Sequence, residues 1–406
     1  MEDREIRIYS YRWVVLFVFS LLLVLDIMLW LTFAPITGDA ARFYGVTPMK
    51  IGFLSMISMI VTIFLTIPGV YVVDTWGLRK GIGLGAVLAG LFGFTRGYFG
   101  DNYGIVLIST WGFCLSQPIV FNSMTAVSAK WFPLKQRATA VGIMLVILYV
   151  GMIVAMGVTP ILTIKYGIPG MLRIYGVFSL CVAVAFLALI RDAPPTPPSG
   201  SDMERVSVLA GVKHIFTQRD PLLLLLVWFV VLGFFNAFNT WVEQIIAPRG
   251  FNSVQAGWLG AICQVGAIAG CFVIPPLSDK YRMRKVFVII SVLGLLPALL
   301  GLTFAASYAL LLASGILFGF FLGGVSPVVY QYGAEVSYPA PEATSQGLLI
   351  WAGNVSGAIL IYGMDMFRTA SSAMTPSLIV ITVLTALLLA PLWVMRDSRM
   401  LAVEAQ

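Results

Sequence analysis

Charge is scarce in this chain, and histidine and cysteine are nearly absent. Of 406 residues only 11% are Asp, Glu, Lys or Arg, while 59% are hydrophobic. That balance excludes an ordinary water-soluble domain. The single histidine, His214, excludes a paired-histidine metal site and leaves the apolar runs without an axial haem ligand of that type. Four cysteines (Cys114, Cys181, Cys263 and Cys271) lie in apolar runs without metal-ligand spacing and read as small packing residues. No P-loop is present, and the Gly-x-Gly-x-x-Ala match at 81–86 opens an apolar run rather than following a strand, so nucleotide binding is not expected. No nucleophile, base or metal cluster gathers at one depth, so neither an enzyme nor a cofactor is expected. The net charge of +7 is spread over short loops and tails rather than gathered in a stripe, which argues against a nucleic-acid partner.

What the chain has instead is long apolar runs. The first, 13–36, contains Asp26 as its only ionisable group. Its 24 residues suffice to cross about 30 Å of hydrocarbon, so it reads as a retained first span rather than a signal peptide. Further stretches lie near 49–73, 81–99, 103–128, 137–162 and 170–190, then near 221–246, 254–277, 285–304, 308–332, 342–367 and 375–395. The expected fold is therefore all-α and integral to the membrane, with 12 spans in two sets of six. Domain boundaries are expected at 1–190 for the first bundle, 191–220 for a proline-rich linker carrying a short surface helix, and 221–406 for the second bundle. With the amino terminus inside, 18 of the 25 Lys and Arg residues fall on the cytoplasmic side and 7 outside. The positive-inside rule then puts both termini in the cytoplasm. Short loops and tails suggest a cell (cytoplasmic) membrane location, and a monomer is expected.

The halves are related to each other. "VDTWGLRKG" and "SDKYRMRKV" place Asp74, Arg79 and Lys80 in register with Asp279, Arg284 and Lys285, at an offset of 205 residues. The same offset aligns Thr139 with Thr344, Arg137 with Glu342, and Lys130 with Glu335. A repeat at one offset across several loops is the mark of a duplicated six-helix unit of parallel orientation, as in two-bundle secondary transporters. In such a protein Glu335 and Glu342, opposite Lys130 and Arg137, form salt bridges between the halves that close an inner gate, unless they are independent solvated charges. The two Asp-Arg-Lys loops belong to the same network.

The "D-x-x-G-L-R-K" loop and its echo resemble the loop signature of the major facilitator superfamily, which implies its fold of two pseudo-symmetric six-helix bundles. "RWVVLFVFSLLLVLDIMLW", "RFYGVTPMKIGFLSM", "AKWFPLKQRATA" and "YGAEVSYPAPEATSQGLL" are similar to the feline leukaemia virus subgroup C receptor group of facilitators. Members of that group are associated with choline and ethanolamine uptake, and some with haem export. The resemblance implies an aromatic cage that includes Trp30. Where that group has glutamines in spans five and eleven, this chain carries Tyr149 and Asn354. Asn236 stands for a span-seven tyrosine, and Asp26 for an amide.

Ionisable residues at membrane depth normally face a cavity or a partner. Asp26 lies four residues before Trp30, on the same helical face. It reads as a counter-charge to a cationic head group, as a proton site, or as a structural lock on a neighbouring helix. Trp30 could stack on an alkylammonium group. Asn236 and Asn239 in span seven and Gln117 in span four are further lining candidates, with Glu243 and Gln244 a turn nearer the outside. Arg96 and Lys165 are expected near the outer ends of their spans. The function expected is a transporter moving a small organic solute, best a choline-like amine, by alternating access across the lipid bilayer, with a proton as a possible coupling ion. The alternatives are a proton-coupled organic acid or drug carrier, a haem exporter, and a membrane receptor or enzyme without transport.

Overall fold

The computed structural model describes residues 9–194, 208–338, 340, 342–368 and 373–396, and every regular element among them is helical. Contacts divide the chain into two compact units, Met1–Met203 and Glu204–Gln406.

The first unit opens with α1 (Tyr11–Leu31), followed by a turn at Ala34–Ile36 and by α2 (Thr37–Tyr44). Next come α3 (Pro48–Gly77), begun by a proline whose missing N–H would be unpaired in any first turn, and α4 (Gly83–Tyr98). The fourth apolar run is not one rod. It divides into α5 (Tyr103–Cys114), α6 (Gln117–Phe121) and α7 (Met124–Trp131); the first of the two breaks, at Leu115 and Ser116, falls where Pro118 cannot supply the N–H that would continue the ladder. The 56 residues of α8 (Leu134–Leu189) are too many for one crossing. At 1.5 Å per residue they would run about 84 Å. Gly167 divides them, at φ 69° and ψ 173°, a conformation open to glycine and closed to residues with a Cβ.

The second unit contains α9 (Val208–Thr217), α10 (Arg219–Ile246), α11 (Ser253–Tyr281), α12 (Arg284–Phe304), α13 (Tyr308–Val336), α14 (Glu342–Met366), α15 (Thr375–Leu387) and α16 (Leu389–Val394). Asn252 and Gln255 cap α11 reciprocally, each side chain accepting from the other's backbone N–H at 2.9 and 3.0 Å. Eleven helical stretches among the described residues are long and apolar enough to cross a membrane. One of them, Thr139–Leu189, is the stretch divided at Gly167, so the crossings number twelve, as the sequence predicts.

With apolar lipid outside, close backbone approach and van der Waals packing hold such helices together. In the first unit Gly93 and Gly97 of α4, spaced four apart on one helical face, admit Ser179, Leu172 and Gly176 of α8. In the second, α10 presents Phe234 and Phe238 to Phe318 of α13 at ring separations of 5.4 and 5.1 Å. The tightest approach joins α13 to α11. A Cβ on Gly319 would lie 1.8 Å from the Cys263 carbonyl oxygen, which is backbone and cannot swing aside. Gly319→Val is therefore expected to destabilise the second unit by about 3 kcal/mol or more, read as lost yield of monodisperse protein in detergent. Wild-type yield and melting would show that these backbones can separate freely.

Candidate functional site

Asp26 is a fully enclosed carboxylate of the first unit. It sits five residues before the end of α1 at 0% exposure, and its Oδ1 accepts a 2.7 Å hydrogen bond from Ser116 Oγ, at the break between α5 and α6. Its Oδ2 is buried and has no hydrogen-bond partner. The next residue along the break, Gln117, accepts from Ser58 Oγ of α3 and leaves its own Nε2 buried without a partner. The proline-enforced break thus brings Asp26, Ser116, Gln117 and Ser58 into one buried polar cluster.

Trp30 is half-buried, and its ring N–H donates to the Ser55 carbonyl of α3 at 3.1 Å. The ring is thus anchored to α3 by its N–H edge, while Asp26, one turn away on α1, is fixed to the break in span four. Tyr149 is half-buried on α8. Gly151, two residues on, packs closely against Val24 and Ile27 of α1.

Arg96 lies in the last turn of α4, at the end of its span, and what the sequence does not show is its burial: it is 2% exposed, with Nη1 donating to the Leu29 carbonyl of α1 at 2.9 Å. The guanidinium carbon lies 4.7 Å from the Phe33 ring centre and 5.4 Å from that of Phe113. The available signal was its position three residues after Gly93 and one before Gly97, on the face that these glycines turn towards the bundle.

In the second unit, Asn236 is buried and donates to the Gly353 carbonyl of α14 at 3.4 Å. Asn354, the next residue, is half-buried and donates to the Ile350 carbonyl, so Asn236 and Asn354 lie at one α10–α14 contact. Asn239 is fully enclosed and accepts from Gln264 of α11 at 2.9 Å, while donating to Phe235. It belongs to an interhelical amide pair rather than to the Asn236 pair. Glu243 is bonded by Gln244, which accepts from Arg368 at 2.8 Å, and Arg368 lies over the Trp241 ring.

The expected charge network resolves into separate pieces. Arg284 joins Asp279 to Glu335, the latter at 3.3 Å, so Glu335 has a cation inside its own unit. Lys285 Nζ caps the carbonyls of Trp393 and Met395 at 3.1 and 2.6 Å. In the first unit the Arg79 and Lys80 side chains are exposed, and the Arg79 backbone N–H donates to Asp192 at 2.8 Å. Arg137 donates to the Ala129 and Phe132 carbonyls. The side chains of Asp74 and Glu342 lie outside those described. No group of three or more metal-ligating side chains occurs among the described residues.

Twelve crossings and buried polar clusters within two helical units define a multi-pass membrane protein of secondary-transporter type. The profile of the Major Facilitator Superfamily matches residues 9–361, and the chain belongs to that superfamily. It is 30% identical over 375 residues to solute carrier family 49 member A3 of Xenopus tropicalis, covering 87% of this chain and 77% of that protein. It is 25% identical over 385 residues to the choline/ethanolamine transporter FLVCR1 of Felis catus, covering 88% and 68%. Among solved structures, a bacterial homologue of the human lysosomal transporter Spinster superposes with a TM-score of 0.76, at 16% identity and covering 97% and 98% of the two chains. That likeness concerns the fold alone. The relatives are transporters, and this chain is a membrane transporter rather than an enzyme.

Proposed function

We propose that this transporter carries a small cationic or zwitterionic amine, choline-like, by alternating access. Trp30 stacks on the head group, and Asp26 serves as the counter-charge or proton site behind it. The observation that carries the reading is the juxtaposition on α1: a half-buried tryptophan one turn from a fully enclosed carboxylate with one oxygen unpartnered. The feline relative, named as a choline/ethanolamine transporter, supports the same solute class. Tyr149, Gln117, Asn236 and Asn354 are proposed to complete the site, with Asn239 supporting it through Gln264. Residues 1–190 and 221–406 form the two moving bundles in this reading, joined by the linker 191–220. The loops around Asp74, Arg79, Lys80, Arg137, Asp279, Arg284, Lys285, Glu335 and Glu342 take part in gating. Both termini are cytoplasmic, the membrane is the cell membrane, and the unit of transport is the monomer.

An organic-anion carrier would need a cation open to solute. Arg96 is buried deeply enough, but its guanidinium is held between two rings and on a backbone carbonyl, which leaves an anion little access. Uptake into proteoliposomes of labelled choline, ethanolamine, lactate and haem tests the assignment. Choline or ethanolamine is expected to move or to compete; if neither does, the amine reading fails. Trp30→Ala is expected to weaken amine affinity by roughly three- to thirtyfold, the range of a partly desolvated cation–π contact. Wild-type affinity in that variant would remove the cage.

A further inference from the structure

The start of the first span gathers hydrogen-bond donors that no acceptor matches among the described residues. Tyr11 and Trp13, in the first turn of α1, pack on Trp131 and Phe132 at the end of α7, with ring centres 6.0 and 5.5 Å apart. Between them in sequence, the Arg12 guanidinium carbon lies 5.4 Å from the Trp13 ring centre and 5.5 Å from that of Phe132. Arg12 Nε and Nη1 are enclosed and have no hydrogen-bond partner, and the same is true of the indole Nε1 of Trp131, a residue only 4% exposed. The Arg191 guanidinium lies 4.2 Å from the Tyr11 ring centre, and Tyr11 is held there by donating to the Leu189 carbonyl at the end of α8. Lys130, exposed and next to Trp131, adds a third cation.

No carboxylate balances these charges. Arg12 and Arg191 take part in none of the ion pairs among the described residues, and the neighbouring Asp192 accepts from the Arg79 backbone. Enclosed donors without acceptors cost stability, and an anion is the ligand that answers both the donors and the charge. The place of the patch decides which anion. It lies in the first turn of a spanning helix, at the depth where headgroups meet hydrocarbon and where tryptophan is enriched. Trp13 and Phe17, four residues apart on one helical face, are 48% and 61% exposed, so an apolar strip runs from the patch along the outer side of α1. An acyl chain covers such a strip, and a soluble anion does not.

We infer that this patch binds an anionic phospholipid, whose phosphate accepts from Arg12 beside Trp131 and whose acyl chain lies on Trp13 and Phe17. Arg191 and Lys130 favour an anionic over a zwitterionic headgroup by adding positive charge to the same surface. The bound lipid ties the start of α1 to the end of α7. This site is independent of which solute is carried.

Thermal unfolding of the full chain in mixed detergent micelles tests it. Dioleoyl phosphatidylglycerol is expected to raise the midpoint by about 4 °C over the same amount of dioleoyl phosphatidylcholine, as attraction of two cations to an anionic headgroup would give. Arg12→Gln is expected to lose at least half of that shift, and Arg12→Lys to keep more of it than Arg12→Gln does, because the charge remains. If Arg12→Gln yields no monodisperse protein, Arg191→Gln is read in the same way. Lys165→Gln, at an exposed lysine elsewhere in the unit, is expected to keep the whole shift. Glycerophosphate, the headgroup without its chains, is expected to give none. Equal midpoints in the two lipids, or a shift kept whole in the arginine variants, would overturn the inference. So would an equal loss in Lys165→Gln, which reduces the effect to overall charge, or an equal shift with glycerophosphate, which makes the ligand a soluble phosphate.

Discussion

Asp26→Asn is expected to abolish stimulation of uptake by an imposed proton gradient, a loss of at least about tenfold or 1.4 kcal/mol in driven transport. The substitution is nearly isosteric. The amide oxygen of Asn can still accept the 2.7 Å bond from Ser116, so the α1 contact with the broken span is kept. What disappears is the ability to exchange a proton and to alternate between charged and neutral forms, in a site with no exposure to solvent. The sign follows from the chemistry: acidification protonates and neutralises Asp26, whereas Asn is neutral at every pH. Proteoliposomes with and without a gradient, assayed well below the variant's thermal midpoint, separate two roles. If stimulation persists in Asp26→Asn, this carboxyl does not carry the proton. If stimulation was never present and the KM for the amine rises at all pH values, Asp26 is a fixed counter-charge.

The elements legible in the sequence are those set by local forces. A run of some twenty apolar residues must be a spanning helix, because hydrocarbon offers no partner to an open backbone. The repeat of Asp, Arg and Lys at a fixed offset marks two related units. Span number and the depth of Asp26 follow from such rules. The features that were not legible depend on which helix lies opposite. The polar cluster around Asp26 exists because Pro118 breaks span four at Ser116, a residue with no distinguishing sequence pattern of its own. A linear window places Arg96 near the end of its span but does not show its enclosure, which arises because α1 supplies a carbonyl and Phe33 and Phe113 supply rings. Asn236 and Asn239 look equivalent in sequence, yet one meets α14 and the other α11. Sequence spacing gives the face of a helix but not the neighbour that covers it.

The same limit produces a large asymmetry between the two repeated loops. Arg79 and Arg284 occupy equivalent repeat positions, yet Arg284→Ala is expected to destabilise its unit by about 3 kcal/mol, as breaking a largely buried ion pair does, while Arg79→Ala is expected to change stability by less than about 1 kcal/mol. The Arg284 and Glu335 side chains are only 11% and 7% exposed, so their pairing is weakly screened. Glu335 Oε2 is already buried without a partner, and Oε1 has Gln331 as its other donor. Removing Arg284 therefore strands a carboxylate that has no other cation within salt-bridge range among the described residues. Asp279 adds less, because its side chain is 63% exposed and water replaces the lost partner. Arg79 has no such burial: its loop is tied by its backbone N–H to Asp192, and that bond survives truncation of the side chain. Thermal unfolding of the two variants in detergent reads the difference. Arg284→Ala combined with Glu335→Gln should recover most of the loss, because the stranded charge is gone. Equal melting of the two single variants would mean that the duplicated sequence imposes a duplicated role, and that burial of Glu335 does not set the energy of this contact.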